Sequence, residues 1–304
     1  MDDALPELVR ARVARETGTR ARLQRELRAG ALERIRPGVY VPPTGGTPED
    51  HHRLLMHAIA ETEGQVVFSH RSAALAWGLP LIYAPPAKAS VAMGVRNGGR
   101  STTTIRRHGV EPGVPVVRDG LLVTALARTV VDVARATSLH EAVAVADAAL
   151  RGSQPHELGP SRPPIELELL VAELTAAGRR RGVATARAAL GMASASSGSA
   201  GESCSRVTMR LAGLPAPELQ AEFRDARGLI GYADFWWPQF HLIGEFDGYI
   251  KYSDPRFLRG RTPEQALRDE KTREDRLRAV GPRVARWGWA EAFSPRVLRR
   301  HLGL

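Results

Sequence analysis

The chain opens with apolar residues at helical spacing: Leu8, Val9 and Val13 share one face, and Leu23, Leu27 and Leu32 continue the periodicity. Gly18 and Thr19 separate the two runs, and Gly30 closes the second. "ALERIRPGVYV" then alternates as two brief strands about a Pro-Gly turn, and Pro42 to Pro48 predicts a linker. Over residues 49–152 helix and strand patterns take turns, as in "HRLLMHAIAETEG", "KASVAMG" and "GLLVTALARTVVDVARAT", which predicts a middle α/β domain. Residues 153–194 carry two more helical patterns and serve as a helical linker. The stretch ends in the serine-rich "GMASASSGSAGES", where a boundary is expected near residue 195. Beyond it, "GESCSRVTMRLAGLP" predicts a helix with Val207, Leu211 and Leu214 on one side and Glu202 in its first turn. "PELQAEFRDARGLIGYADFWW" predicts two strands about a glycine turn, and "QFHLIGEFDGYIKY" a third strand. A charged helix, "TPEQALRDEKTREDRLRAVG", and a closing strand, "RVARWGWAE", complete an α/β multidomain reading.

Arginine placement changes what the first segment means. The second helix would expose Arg20, Arg22, Arg25 and Arg28, and the hairpin carries Arg34 and Arg36. Two helices, the second arginine-bearing, followed by a wing over residues 1–43 predict a winged helix-turn-helix whose arginines would contact DNA phosphates or guanine edges. The competing reading is a small protein-interaction domain with a solvated arginine face.

Composition adds a direction without a decision. The 304 residues carry 43 basic and 33 acidic side chains, a net charge of +10 and a pI near 10.6, which favours an anionic partner. Only Lys88, Lys251 and Lys271 are lysines, a bias toward arginine that reads as GC-rich coding, so charge alone does not establish nucleic-acid binding. The single cysteine, Cys204, excludes a disulfide framework and a cysteine zinc site. His51, His52 and His57 read as the solvated face of a helix. His70 and Arg71 read as the start of a helix capped by Ser69, and Thr124 as the cap of a helix with an Arg128–Asp132 surface pair. The N-terminus lacks an apolar leader and no stretch approaches 18 apolar residues, so a soluble cytoplasmic protein with no membrane partner is expected.

The chemistry concentrates in the last third. Asp234 and Glu245 stand on strands predicted to be neighbours, where two carboxylates side by side repel unless a cation sits between them. Hard oxygen ligands suit Mg²⁺ or Mn²⁺, and Mg²⁺ activates water for phosphodiester cleavage. The plain alternative is two ordinary edge residues.

The stretch from about residue 195 to 304 resembles the PD-(D/E)xK restriction-endonuclease-like superfamily, most closely the domain related to very-short-patch repair endonucleases. The matching segments are "ES" at Glu202-Ser203, "GYADFWWP", "LIGEFDGYIKY", "EKTREDRLRAVG" and "RVARWGWAE". The resemblance implies an α/β sandwich with Asp234 and Glu245 as metal carboxylates and Glu202 orienting water or completing the shell. The family's lysine lies two residues after the strand glutamate, where this chain has Asp247. A third carboxylate would then join the metal, and Lys251 or Lys271 would supply the positive charge. Arg273 and Arg286 would contact the phosphodiester. "LQRELRAGALERIRPGVYVPP", "FSHRSAALAWGLPL" and "VTALARTVVDVAR" resemble AbiEi-type antitoxins and transcriptional regulators of abortive-infection systems. That implies a phage-defence or toxin–antitoxin setting, with a toxin protein or a second copy of the chain as partner. Together the expectations are a DNA-binding protein with a Mg²⁺-dependent endonuclease domain. The alternative is a non-catalytic regulator whose nuclease fold has decayed.

Overall fold

The structure, a computed structural model that describes residues 8–43, 45–94, 100–153, 161–248 and 262–304, adds a short strand before the first predicted helix and two helices after the strand predicted to close the chain. Among the described residues there are three β-sheets, each mixed with helices. The chain divides into two compact units, Met1–Asp132 and Val133–Leu304.

In the first unit, β1 (Val9–Arg10), α1 (Ala11–Glu16), α2 (Arg20–Arg28), β2 (Glu33–Arg36) and β3 (Val39–Val41) form a helix pair beside a small antiparallel sheet of order β1-β3-β2. Leu23 and Leu32 are buried, with Val9, Leu27 and Tyr40 packed on them. That seed fixes α2 by its apolar side and leaves Arg20, Arg22, Arg25 and Arg28 exposed. Thr47 then starts α3 (Pro48–Glu63) through a capping box with Asp50, and Pro48 occupies a first-turn position where no N–H is needed. β4 (Val67–Phe68), α4 (His70–Ala76), β5 (Ala89–Met93), β6 (Ile105–Gly109), β7 (Val116–Arg118) and β8 (Leu121–Val123) follow. They build a five-stranded sheet of order β6-β5-β4-β8-β7, and α5 (Leu126–Ala136) crosses the division between the units.

Several expectations for this unit change, among them the surface placing of the Arg128–Asp132 pair, whose Asp132 is buried. Arg36 is buried: its guanidinium donates to Thr62 Oγ1 at 2.6 Å and to Glu63 Oε1 at 2.8 Å. It ties the hairpin to α3, so the Pro42 to Pro48 stretch does not separate independent bodies. Of the histidine trio only His51 is exposed. His52 is buried against Ser72 Oγ at 2.8 Å, and burial pushes its pKa down to about 4, while His57 faces Asp119 at 3.6 Å. Ser69 holds the N-cap position of α4 but makes no side-chain cap bond; its Oγ meets His70 Nδ1 at 3.0 Å.

The second unit continues with α6 (Leu139–Arg151), α7 (Leu167–Ala176), α8 (Val183–Leu190) and α9 (Ala200–Leu211). β9 (Glu218–Asp225), β10 (Gly228–Trp237), β11 (Leu242–Phe246), α10 (Pro263–Ala279), β12 (Arg283–Trp287), α11 (Trp289–Ala292) and α12 (Pro295–Leu302) complete it. The sheet order is β12-β11-β10-β9, antiparallel from β9 to β11 and parallel between β11 and β12. A parallel neighbour requires a crossover, which accounts for α10 lying between β11 and β12 in sequence. One face of the sheet carries Phe235, Trp237, Leu242, Phe246 and Trp287 against Met209, Leu298 and Leu302; the other carries Ile230 and Ile243 against Leu277 of α10. Trp287 Nε1 donates to Ser205 Oγ at 2.8 Å, so α9 is fixed by a buried hydrogen bond as well as by packing.

Two glycines permit this closeness. A Cβ on Gly244 would meet the Trp287 ring at 2.6 Å, and one on Gly201 would meet Phe246 Cε1 at 2.0 Å.

The serine-rich stretch is pinned instead of linking. Ser194 N–H donates to Asp147 Oδ1 at 2.7 Å, and Arg151 donates to the Ser197 carbonyl at 2.6 Å. Arg206 of α9 bonds the Met192 carbonyl and pairs with Asp147 Oδ2 at 2.8 Å, and Ser203 Oγ donates to the same oxygen at 2.7 Å. Asp147 belongs to α6, which the sequence pattern assigns to the middle domain. Burial pushes its carboxyl up, against the pull of Arg206, Ser203 and the Ser194 amide. The compact unit that contains this network spans Val133–Leu304. Among the described residues no helix is long and apolar enough to cross a membrane.

Candidate functional site

Register sets the centre of the site. The ladder between β10 and β11 runs through Trp236 opposite Ile243 and Phe235 opposite Gly244. One step further brings Asp234 opposite Glu245, and opposed residues of an antiparallel pair project to the same face. Here that face is the one that carries Ile243 and meets α10. The two carboxylates, with Tyr232, Asp247, Glu270, Arg273 and Arg286, line a cavity of about 220 Å³.

Each carboxylate is held by the local fold. Asp234 Oδ2 accepts the Phe246 N–H at 2.9 Å, which locks β10 to the end of β11. Asp234 Oδ1 lies 3.3 Å from Gln220 Nε2, and the same nitrogen lies 3.2 Å from Glu202 Oε2. A primary amide nitrogen has two hydrogens and no negative charge, so a glutamine can bridge two carboxylates where a glutamate would add a third repelling charge. Gln220 does this from a left-handed backbone, φ 52°, in the middle of β9. For a residue with a Cβ that conformation costs roughly 1–2 kcal/mol. The strain falls where β9 reaches Asp234, as strain at functional sites does.

Glu202 has a second occupation. It stands three residues after the N-cap Ser199, whose hydroxyl accepts the Glu202 N–H. Its carboxylate in return accepts from Ser199 Oγ at 2.9 Å and from the Gly198 N–H at 2.7 Å. This is a capping arrangement that "SAGE" announces in the sequence. Glu202 does not line the cavity and reaches Asp234 through Gln220.

Glu245 is buried and meets two arginines: Arg273 Nη2 at 2.7 Å on Oε1 and Arg286 Nη2 at 3.0 Å on Oε2. Both arginines also reach Glu270 Oε1, at 3.2 and 2.6 Å, and Arg286 Nη1 lies 3.5 Å from Glu274. Burial acts against both guanidinium charges, but the surrounding carboxylates, Glu245 first, outweigh it and hold both pKa values above the usual arginine range. Arg286 Nε is shielded from water and has no hydrogen-bond partner among the described residues.

Asp247 lines the cavity, and its N–H donates to the Trp287 carbonyl at 2.8 Å. Lys251 lies outside the described residues. Lys271 is exposed on α10 and does not line the cavity. The positive charge at the cavity comes from Arg273 and Arg286 instead. Sequence reasoning missed Gln220 and Glu270. Glu270, Arg273, Glu274 and Leu277 share one face of α10 at i, i+3, i+4, i+7 spacing, a signal present in the sequence. Nothing in the sequence announces a left-handed residue inside β9. Cys204 is buried in α9, and burial pushes its thiol up to about 12, so it is no nucleophile.

Asp234 and Glu245 have the chemistry to hold a hard divalent cation, which binds through one or two carboxylates and keeps water in its other positions. Among the described residues no group of three or more His, Cys, Asp or Glu side chains is arranged to hold a metal ion. A cation at Glu245 has to displace the two arginines, for which Glu270 and Glu274 are alternative partners already in reach.

No family model matches the chain. Two uncharacterised proteins, from two strains of Mycobacterium tuberculosis, are each 36% identical to it over 162 residues, 53% of this chain and 53% of the relative. The match thus spans about half the length of these relatives.

Proposed function

We propose that this is a DNA-binding protein whose second unit hydrolyses phosphodiesters with Mg²⁺ or Mn²⁺. The observation that carries the reading is the placement of Asp234 and Glu245 side by side at one end of a mixed sheet, in a cavity that also presents two arginines. The order helix, hairpin, strand, helix, parallel strand supports a restriction-endonuclease-like fold for this unit. When bound, the cation would polarise the scissile phosphate and lower the pKa of the attacking water. Asp234 and Glu245 would hold it, with Asp247 beside them. Gln220 keeps Asp234 in place against Glu202. Arg273 and Arg286, once released from Glu245, would neutralise charge developing on the phosphate, the task assigned by family resemblance to a lysine.

The exposed arginines of α2, beside a three-stranded sheet with its hairpin, support a winged helix-turn-helix that delivers the protein to DNA. The antitoxin resemblance adds the expectation of phage defence, with a toxin protein or a second copy as partner.

The test is incubation with supercoiled plasmid and Mg²⁺ or Mn²⁺ beside Asp234→Asn and Glu245→Gln. Nicking or linearisation by the parent, lost in both variants, is the expected result; intact plasmid with either metal, or equal cutting by the variants, removes the nuclease reading. A second reading, a non-catalytic regulator with a decayed site, draws on the two arginines that occupy Glu245 and on Asp247 at the lysine position. It predicts operator binding that is indifferent to EDTA and no cutting.

A further inference from the structure

The same sheet carries a second concavity, on the far side of Arg286. β12 is an edge strand: it pairs with β11, and no other described strand pairs with it. Along it runs a shallow groove of about 590 Å³ whose lining includes Leu242, Arg278, Arg283, Arg286 and His301 and no acidic side chain. Arg286 lines both this groove and the cavity that holds Asp234 and Glu245. The two are therefore adjoining stations on one surface, acidic at one end and basic at the other.

We propose that the groove along β12 is the track for the phosphate backbone of the nucleic-acid strand whose scissile phosphate lies in the cavity. The inference rests on the nucleic-acid reading of that cavity and extends it to the path of the substrate. Arg278 is 63% exposed, and its i,i+4 pair with Glu274 is of the surface kind that holds side chains weakly, so its charge is available to a phosphate. Arg283 lines the groove and donates to the Leu302 carbonyl at 3.3 Å. An extended peptide added to the β12 edge is the competing occupant. That edge is partly closed to it, because His301 Nε2 lies 2.5 Å from the Arg286 carbonyl, an acceptor a new strand would need.

The experiment uses the full chain with Arg20, Arg22, Arg25 and Arg28 all changed to alanine, so that the first unit does not dominate binding. A short fluorescent single-stranded oligodeoxynucleotide is titrated in EDTA across a salt series, and amide hydrogen exchange is followed with and without it. Slower exchange in residues 281–304 on binding is expected. Arg278→Ala with Arg283→Ala should weaken binding about tenfold at low salt and flatten the slope of log affinity against log salt by about 0.7 per lost phosphate contact. Arg278→Lys should keep most of the affinity, which a purely structural role would not require. Unchanged exchange at β12 and α12, or an unchanged slope in the double variant, overturns the track. So does exchange protection that grows with protein concentration alone, since that marks a second copy paired along the edge. Groove-dependent binding without Mg²⁺-dependent cutting would leave the track standing while the nuclease reading falls. Cutting that persists with the same KM in the double variant would do the reverse.

Discussion

Gly201→Ala should damage both the stability of the second unit and the geometry of its cavity, although the residue touches no carboxylate. A Cβ at this position would lie 2.0 Å from Phe246 Cε1 and 2.2 Å from Cζ, against the ~3.5–4.0 Å at which carbon atoms rest. The ring has to retreat by about 1.5 Å or more, yet it sits in the core with Trp289 edge-on at 5.1 Å. Overpacking of this kind costs about 1–3 kcal/mol, or about 2–4 °C of melting temperature per kcal/mol in a unit of this size. Phe246 stands between Glu245 and Asp247, and its N–H holds Asp234. A displacement of about 1 Å at such carboxylates is worth roughly a hundredfold in rate. Urea denaturation measures the first effect and plasmid nicking with Mg²⁺ the second. The double variant Gly201→Ala/Phe246→Val, which lacks the clashing Cδ1, Cε1 and Cζ atoms, should recover to nearly the stability of Phe246→Val alone. A parent-like urea midpoint for Gly201→Ala, or no recovery in the double variant, would refute the reasoning.

Gln220→Gly should remove roughly 1–2 kcal/mol of backbone strain while deleting the bridge between Glu202 and Asp234. A urea midpoint that moves little, with cutting strongly reduced, is expected; unimpaired cutting would show that the bridge has no role. His52 is held at about 4, below its ordinary 6.5, because burial disfavours its cation. The unfolded chain binds a proton there that the folded chain does not, so the first unit should lose about 1.4 kcal/mol per pH unit from this group as pH falls through that interval. Denaturation midpoints that stay level from neutral to mildly acidic pH would contradict this, and His52→Gln should flatten the dependence. Arg36→Ala should cost stability, about 2–3 kcal/mol for lost charge-assisted bonds, and leave the salt dependence of DNA binding alone. Arg22→Ala with Arg25→Ala should reduce the salt slope by about 0.9 per phosphate contact and leave stability near the parent value; the opposite pattern would exchange their roles.

What the sequence revealed follows from period. Strand alternation in "GYADFWW" and "LIGEF" placed Asp234 and Glu245 on adjacent strands, and the charged helix supplied Arg273 to the same cavity. What it hid follows from contacts distant in the chain. Arg36 reads as one more wing arginine until Thr62 and Glu63 arrive beside it. "GMASASSGSAGES" has a linker's composition, but Asp147, far upstream, supplies the partner that orders it. Gln220 lies in an unremarkable strand pattern that announces neither its left-handed φ nor the two carboxylates it reaches.

The network around Asp147 sets how this protein can be cut and recombined. A gene fragment beginning at the serine-rich stretch would carry Glu202, Asp234 and Glu245 but leave Arg206 and Ser203 facing the place of a missing acid. Exchange of the sheet between chains, in the laboratory or in evolution, therefore has to take α6 along with it. The span that keeps this network whole starts no later than Leu139, where α6 begins, well ahead of the motifs themselves.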